Sequence, residues 1–309
     1  MSTLRAALRE AIEQLTAAQV PSASLAAELL LLHVLDRDRT FLYAHPEAEL
    51  SLDQERAYRH LLGRRAEGTP TQYLTGRQEF WGLPLKVAPG VFIPRPETEH
   101  VVEVALAIVR ERLMKPAARI VDVGTGTGCL ALALASELPL AEISATDIAD
   151  EALALARANA DSLGLADRVQ FLKSDLLEAF FGSSGARSAM HAARFDLIVS
   201  NPPYVSPDEA SQLPREVLEH EPAAALFSPD EGLAVTRHLI EQSSQLLVPS
   251  PVTEHRPPVT GGWLVLELGY QMSGRVKSLL GDGWTDVEIT PDLRGIPRVL
   301  AAHRCHIVR

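Results

Sequence analysis

The 309-residue chain is 46% hydrophobic and 22% charged, a globular composition with room for a large core and, at ~150 residues per domain, for two domains. Its formal net charge of -11 argues against holding nucleic acid mainly by neutralising phosphates, and two cysteines, Cys129 and Cys305, are too few for a disulfide scaffold. Apolar runs such as 129–135 fall far short of the ~18 residues that cross a bilayer, and Arg5, Arg9, Glu10 and Glu13 interrupt any leader-like start, so no membrane association and a cytoplasmic location are expected.

Residues 1–75 read as a small helical domain. Leu4, Leu8, Ile12 and Leu15 recur at three- and four-residue spacing, the stripe of an amphipathic helix that Pro21 ends. Ser22 or Ser24 can cap a second helix, carrying Leu25, Leu29, Leu32 and Leu35. Ser51 and Gln54 have the spacing of a capping box for a third, through Tyr58, Leu61 and Leu62 to Gly68 and Pro70. Arg56, Arg59, Arg64 and Arg65 cluster there, most simply as a solvated face. In residues 76–94 the period changes. Phe80, Trp81, Leu83, Leu85, Val87, Val91 and Phe92 are punctuated by Gly82, Pro84, Pro89 and Gly90, which predicts a connecting β-hairpin. Pro96-Glu97-Thr98-Glu99 then opens a helix, with proline and carboxylates in its first turn.

From Arg119 strands and helices alternate. Strands are expected at 120–123, 142–146, 169–173, 195–200, 263–268, 287–289 and 299–304, with helices at 129–138, 149–163 and 233–247. This pattern predicts an α/β domain over 95–309, with a doubly wound, mostly parallel seven-stranded sheet flanked by helices. Residues 182–194 and 249–262 read as surface loops.

Chemistry concentrates at strand ends. Asp122-Val-Gly124-Thr125-Gly126-Thr127-Gly128 lies between a strand and a helix, as a nucleotide-type ligand loop requires. Asp147 ends the next strand, where a carboxylate can accept ribose hydroxyls, and Asp175 ends the third, within reach of an adenine amino group. Asn201 ends the fourth. Four consecutive strand ends thus carry polar groups on the edge where open α/β sheets bind ligands. The carboxylate of Asp122, two residues before the first glycine, would repel a pyrophosphate but suits an ammonium. That charge pattern favours S-adenosylmethionine, which carries no phosphate and has a positive sulfur, over a dinucleotide.

Asn201-Pro202-Pro203-Tyr204 follows the apolar run 195–199. Both prolines lack an N–H and have a fixed φ, so the strand end is stiff. One amide, several carbonyls and an aromatic face make a cup for a planar NH2 group, either an amide or an aryl amine; on the tetrapeptide alone a proline-terminated loop is the simpler alternative. Glu267-Leu-Gly269 either shapes the pocket floor or merely ends a strand. His303-Arg304-Cys305-His306 superficially resembles a metal set, but alternation would split it between faces and no second cluster accompanies it. Trp81, Trp263 and Trp284 read as core.

Taken together, the glycine loop, the acidic strand ends and 201–204 resemble a class I S-adenosylmethionine-dependent methyltransferase. Phe92-Ile-Pro-Arg-Pro-Glu-Thr-Glu99, Gly68-Thr-Pro-Thr-Gln-Tyr-Leu-Thr-Gly76, Glu79-Phe-Trp81, Glu221-Pro-Ala-Ala-Ala-Leu226 and Asp292-Leu-Arg-Gly-Ile-Pro-Arg298 are similar to the PrmC/HemK family, over about the whole chain. The resemblance implies methylation of the glutamine side chain in the Gly-Gly-Gln motif of class I peptide chain release factors. It implies that Gly124 to Gly128 hold the methionine part of the cofactor, Asp147 the ribose, and Asp175 with Leu176 the adenine, with Asn201 also against the cofactor. Asn201, Pro202, Pro203 and Tyr204 would hold the acceptor amide with Phe92 beside it. Asn201, Pro202 and Tyr204 are the expected catalytic residues. No stable nucleic-acid partner and no metal are expected. The rivals are a ribosomal-protein glutamine methyltransferase and a nucleic-acid adenine methyltransferase, whose exocyclic amine fits the same cup.

Overall fold

The computed structural model describes residues 2–181, 194–248, 250–251 and 261–306. The expected loops at 182–194 and 249–262 lie outside the described residues, apart from Arg194, 250–251 and 261–262. The chain divides into two compact units.

The first unit comprises Met1–Arg77, Val87–Pro89 and Leu213–Glu221. Its helices are α1 (Leu4–Ala17), α2 (Ala23–Leu35), α3 (Arg39–Ala44), α4 (Leu52–Ala66) and α5 (Thr71–Thr75). The Ser51–Gln54 capping box is present in both directions, and Thr3 and Asp38 cap α1 and α3 with their side chains. Ser22 does not cap α2. It sits in the left-handed region at φ 51°, with no side-chain bond. The buried stripe of α2 is also displaced from the expected leucines. It runs through Ala26, Ala27, Leu30 and Leu31, leaving Leu25 46% exposed. In α1 the buried residues are Leu4, Ala7, Ala11 and Leu15, because alanines let α1 and α2 approach closely, and Leu8 and Ile12 fall to the margin. Helices α3 and α5 were not expected, being too short to show a period.

Arg65 corrects the reading of a solvated basic face: it is 4% exposed and paired with Glu216 at 2.5 Å. Glu216 belongs to a short helix, Arg215–His220, that the chain contributes to this unit from far downstream. An arginine so deeply buried needs such a partner, because an unpaired charge there would be strongly destabilising.

The second unit, from Gln78, opens with a hairpin of β1 (Arg77–Phe80) and β2 (Leu83–Lys86), shorter than the expected 76–94. A 3-10 turn (Pro96–Thr98) leads into α6 (Glu99–Ala107), which loosens into a π-helical turn over Ile108–Leu113. The main sheet contains β3 (Arg119–Val123), β4 (Glu142–Asp147), β5 (Val169–Lys173), β6 (Leu197–Ser200), β7 (Ser250–Pro251), β8 (Trp263–Glu267), β9 (Trp284–Pro291) and β10 (Pro297–His306). Its order is β5-β4-β3-β6-β8-β10, with β9 antiparallel along the far side of β10. Strands β5 to β8 along this order are parallel. Seven principal strands form as expected. The two-residue β7, pairing parallel with the end of β10, corrects the reading of 250–251 as loop.

Helices α7 (Cys129–Glu137) and α8 (Asp150–Leu163) follow β3 and β4, and α12 (Ala234–Leu246) precedes β8. One core cluster sets α6, α7 and α8 on a sheet face through Val101, Leu130, Leu134 and Ala156, against Ile120, Leu197 and Val265. The other sets Leu239, Ile240 and Leu246 against Val121, Ile198, Leu264 and Leu300. Strand residues buried on both faces account for the unbroken apolar runs at 197–199 and 263–266. The order reverses between β3 and β6, which places a switch-point crevice at their C-terminal ends. Among the described residues no helix is long and apolar enough to cross a membrane.

Candidate active site

The glycine loop is built onto the ends of β3 and β4. The N–H groups of Gly124 and Thr125 both donate to the Thr146 carbonyl at 2.9 Å, and Gly126 N–H donates to Asp147 Oδ2 at 2.9 Å. Gly124, Gly126 and Gly128 all have positive φ. A side chain at Gly124 would meet nothing within 4 Å, so the loop faces open space. At Gly128 it would stand 3.0 Å from Leu132 and 3.3 Å from Ala156, so this glycine serves the packing of α7 and α8. Thr125 and Thr127 are both buried and turned into the protein.

Asp122 braces the loop from below. Its Oδ2 accepts from Thr125 Oγ1 at 2.6 Å and from Ala131 N–H at 3.1 Å. Its Oδ1 is buried with no hydrogen-bond partner among the described residues. Burial pushes this carboxyl up to about 7, against the pull of those two hydrogen bonds. A cationic group brought to the loop would relieve a charge the protein leaves uncompensated. The open loop and the orphaned acid therefore fit a cofactor with positive centres and no phosphate.

Asp147 ends β4. Its Oδ1 accepts from Ala149 N–H at 3.0 Å, in addition to the Gly126 bond. A carboxylate has about four acceptor positions, so two remain for a ligand. Ile148, which the sequence reading passed over, is 58% exposed beside it. Asp175, beyond the end of β5, is exposed, and Leu176 follows in the left-handed region at φ 47°, a conformation uncommon for a leucine. Ser174 N–H donates to the Asp147 carbonyl at 3.0 Å, which ties these two strand ends together.

The fourth strand end carries Asn201 to Tyr204, the residues expected to hold the acceptor amide. Ser200 Oγ donates to the Val123 carbonyl at 2.7 Å, holding β6 to β3 just before Asn201. Asn201 Nδ2 donates to Thr98 Oγ1 at 3.2 Å, and Thr98 Oγ1 donates to Glu267 Oε2 at 2.6 Å. The Tyr204 hydroxyl lies 3.5 Å from Glu267 Oε1. Pro202 is buried and Pro203 half-buried. Beyond Tyr204, Val205 pairs in parallel with Phe227, its N–H donating to the Leu226 carbonyl at 3.0 Å. Burial raises the Tyr204 phenol well above its ordinary value, with the Glu267 charge adding to the effect. Phe92 is half-buried, with the Arg95 guanidinium 4.8 Å from its ring centre.

Asn201, through Thr98, and Tyr204, directly, are thus both tied to the Glu267 carboxylate, while the glycine loop and Asp147 form a second, directly bonded group. Thr98 and Glu267 are the residues that sequence reasoning missed or left open. The signal for Glu267 was a carboxylate closing the apolar run Trp263-Leu-Val-Leu266: it is 3% exposed, so it must have partners. Two of the residues weighed as metal ligands have other roles. His303 packs on Trp263 with ring centres 5.0 Å apart and faces Asp286 at 3.5 Å, and Cys305 is buried.

A family profile described as the PrmC N-terminal domain matches residues 6–76, and one described as the methyltransferase small domain matches residues 83–246. The release factor glutamine methyltransferase of Koribacter versatilis is 42% identical over 303 residues, covering 98% of this chain and 99% of that protein. That of Escherichia coli (strain K12) is 42% identical over 293 residues, covering 94% and 95%. Among solved structures, the hMettl16 catalytic domain in complex with MAT2A 3'UTR hairpin 6 superposes with a TM-score of 0.53 at 18% identity, covering 79% of this chain and 81% of that one, a likeness of fold alone. The chain belongs to the release factor glutamine methyltransferase family, protein methyltransferases of the class I fold.

Proposed function

We propose that this enzyme methylates the side-chain amide nitrogen (N5) of the glutamine in the Gly-Gly-Gln motif of class I peptide chain release factors, with S-adenosylmethionine as donor. The names of its relatives support release factors as substrate. The observation that carries the chemistry is the fixed amide of Asn201, held at a strand end by Thr98.

When bound, S-adenosylmethionine supplies a methyl group made electrophilic by a positively charged sulfur. Gly124 to Gly128 would hold its methionine part, Asp147 its ribose, and Asp175, Leu176 and the exposed Ile148 its adenine. Asp122 would set the local charge in its favour.

The acceptor is a poor nucleophile, since its nitrogen lone pair is delocalised into the carbonyl. Catalysis therefore rests on positioning and on holding the amide in a reactive geometry. Asn201 Oδ1 and the Pro202 carbonyl would accept the two amide hydrogens, aligning the nitrogen and favouring a more pyramidal form. Tyr204 and Phe92 would wall the pocket against water. No general base is required before transfer, because the methylated nitrogen loses its proton readily afterwards.

The helical unit would recognise a release-factor surface away from the glutamine, and the cytoplasm is the compartment where that substrate occurs. Incubation with labelled S-adenosylmethionine and, in turn, release factor, its Gln→Ala variant in the Gly-Gly-Gln loop, ribosomal protein and DNA tests the reading. Label on intact release factor alone is expected. Label on DNA or on ribosomal protein alone would overturn it.

A further inference from the structure

Hydrogen-bond polarity runs one way along the chain Glu267–Thr98–Asn201. A hydroxyl has one proton to give, and an ionised carboxylate can only accept. With Glu267 ionised, the Thr98 proton is committed to Glu267 Oε2 at 2.6 Å. Thr98 Oγ1 then offers only lone pairs to Asn201, so Asn201 must turn Nδ2 toward it, as it does at 3.2 Å. The amide carbonyl Oδ1 is left on the other side. An acceptor glutamine presents N–H groups, and of the two ends of the Asn201 amide only Oδ1 can receive one.

We propose that Glu267 is a positioning residue for the acceptor amide: through Thr98 its carboxylate dictates which way round the Asn201 side chain stands, and protonating that carboxylate releases the constraint. This inference rests on the proposed amide acceptor. With Glu267 protonated, its O–H can donate to Thr98 Oγ1, whose own proton is then free to turn to Asn201. The Asn201 amide can flip, presenting Nδ2 where an acceptor is needed. N–H would face N–H, and the acceptor would lose its anchor.

The setting is suited to such a change. Glu267 is 3% exposed on β8. It is faced by the Thr98 hydroxyl from the turn before α6, by the Tyr204 hydroxyl from the loop after β6 and by the charge of Arg298 from β10, with the negative charge of Glu97 opposing ionisation. Asp292 holds Arg298 at 3.0 Å. The Arg95 charge also acts on Tyr204 here, and the Cys129 thiol, close enough to feel the Glu267 charge, is pushed up by burial and stays neutral. Burial pushes the Glu267 carboxyl up to about 7, with the Thr98 bond and Arg298 opposing. A group raised in this way is ionised above about 7 and protonated below it, so the productive Asn201 orientation is lost as pH falls through that value.

The test measures kcat on release factor, at saturating cofactor and substrate, from pH 5.5 to 8.5 (about one and a half units either side of that midpoint, enough to define a titration). Wild type is expected to lose about tenfold or more in kcat toward the acid end, and Glu267→Gln, which cannot titrate, to show a flat profile. Thr98→Val, near-isosteric but without the hydroxyl, is expected to lower kcat by about 10- to 100-fold, the scale of a small misplacement of a reacting group. Thr98→Ser should restore most of it, and the KM for release factor should barely move. Superposable profiles for wild type and Glu267→Gln, or a Thr98→Val enzyme with wild-type kcat, would overturn the inference, and the Thr98 pair keeps it testable if Glu267→Gln fails to fold. A readout without turnover separates this from the acceptor assignment. The infrared band of the protonated Glu267 carboxyl, identified by its disappearance in Glu267→Gln, should titrate near 7 in the absence of substrate. That titration stands even if release factor proves not to be methylated, whereas a Glu267 ionised throughout the range would defeat the inference alone.

Discussion

Gly232 and Tyr204 are in direct backbone apposition: any side chain at 232 would overlap the Tyr204 carbonyl oxygen, and Gly232 holds φ at 86°, where L side chains are strained. Gly269 lies against the ring, since a Cβ there would stand 2.7 Å from Tyr204 Cδ2. Tyr204 is thus approached closely, at its backbone and at its ring, by two glycines from different parts of the chain. Gly232→Ala should displace Tyr204 and lower kcat by about 100-fold, the cost of small misplacements in a positioned site. Cofactor affinity, measured by calorimetry, should change little, because the glycine loop and Asp147 are bonded to each other and not to this segment. A variant with wild-type kcat would show that the seating of Tyr204 is immaterial.

Loss of the Asn201 amide would remove the group proposed to receive the acceptor N–H. By analogy with deleting one positioned polar group in other active sites, Asn201→Ala should reduce kcat by ~100-fold or more. Single-turnover methylation of release factor measures it directly. Near-normal transfer with cofactor bound would remove Asn201 from its assigned role.

Asp147→Ala should behave differently. Asp147 ties Gly126 and Ala149 together through its two oxygens and keeps acceptor capacity for a ribose. Its loss would remove both the proposed ribose contact and a brace of the loop, so the KM for S-adenosylmethionine should rise by about tenfold or more, the effect of one or two hydrogen bonds to a charged group. The kcat at saturating cofactor should fall less. A variant with an unchanged cofactor KM would contradict this placement.

The strand ends were legible because their signals are local. Gly124 to Gly128 sits between an apolar strand and a helix, and Asp147 and Asn201 each end a run whose burial is written in its composition. The chain Thr98–Asn201–Glu267 was not legible. Thr98 and Glu267 are 169 positions apart: the return of β8 beside β6 sets Glu267 next to Asn201, and the packing of α6 on the sheet brings Thr98 to both. Arg65 shows the same limit in the helical unit. On its own helix it looked like one of several solvated arginines, and its partner Glu216 arrives from beyond the acceptor loop. The stripe of α2 was misread for another reason: leucines on both sides of the helix outnumber the positions facing α1, and alanines set the contact.

The Asp122 carboxyl should couple cofactor binding and stability to pH. In the unfolded chain it titrates at the ordinary value of 3.8; in the folded protein burial pushes it up to about 7. Between those values the folded state holds a proton that the unfolded state has released. The contribution of this group to stability therefore falls as pH rises from about 4 through about 7. A positively charged cofactor reverses the preference by favouring the ionised form. Binding should release a proton below about pH 7, and affinity should strengthen as pH rises through that value. Calorimetry in buffers of different ionisation enthalpy reports the released proton, and thermal melts across the range report the stability. Asp122→Asn keeps an acceptor for Thr125 and Ala131 but cannot titrate. Its affinity for S-adenosylmethionine should be weaker and flat with pH, and its unliganded melting temperature should lose the decline contributed by this group. A wild-type affinity that does not change between pH 6 and 8 (the window about a midpoint near 7) would exclude coupling between Asp122 and the cofactor.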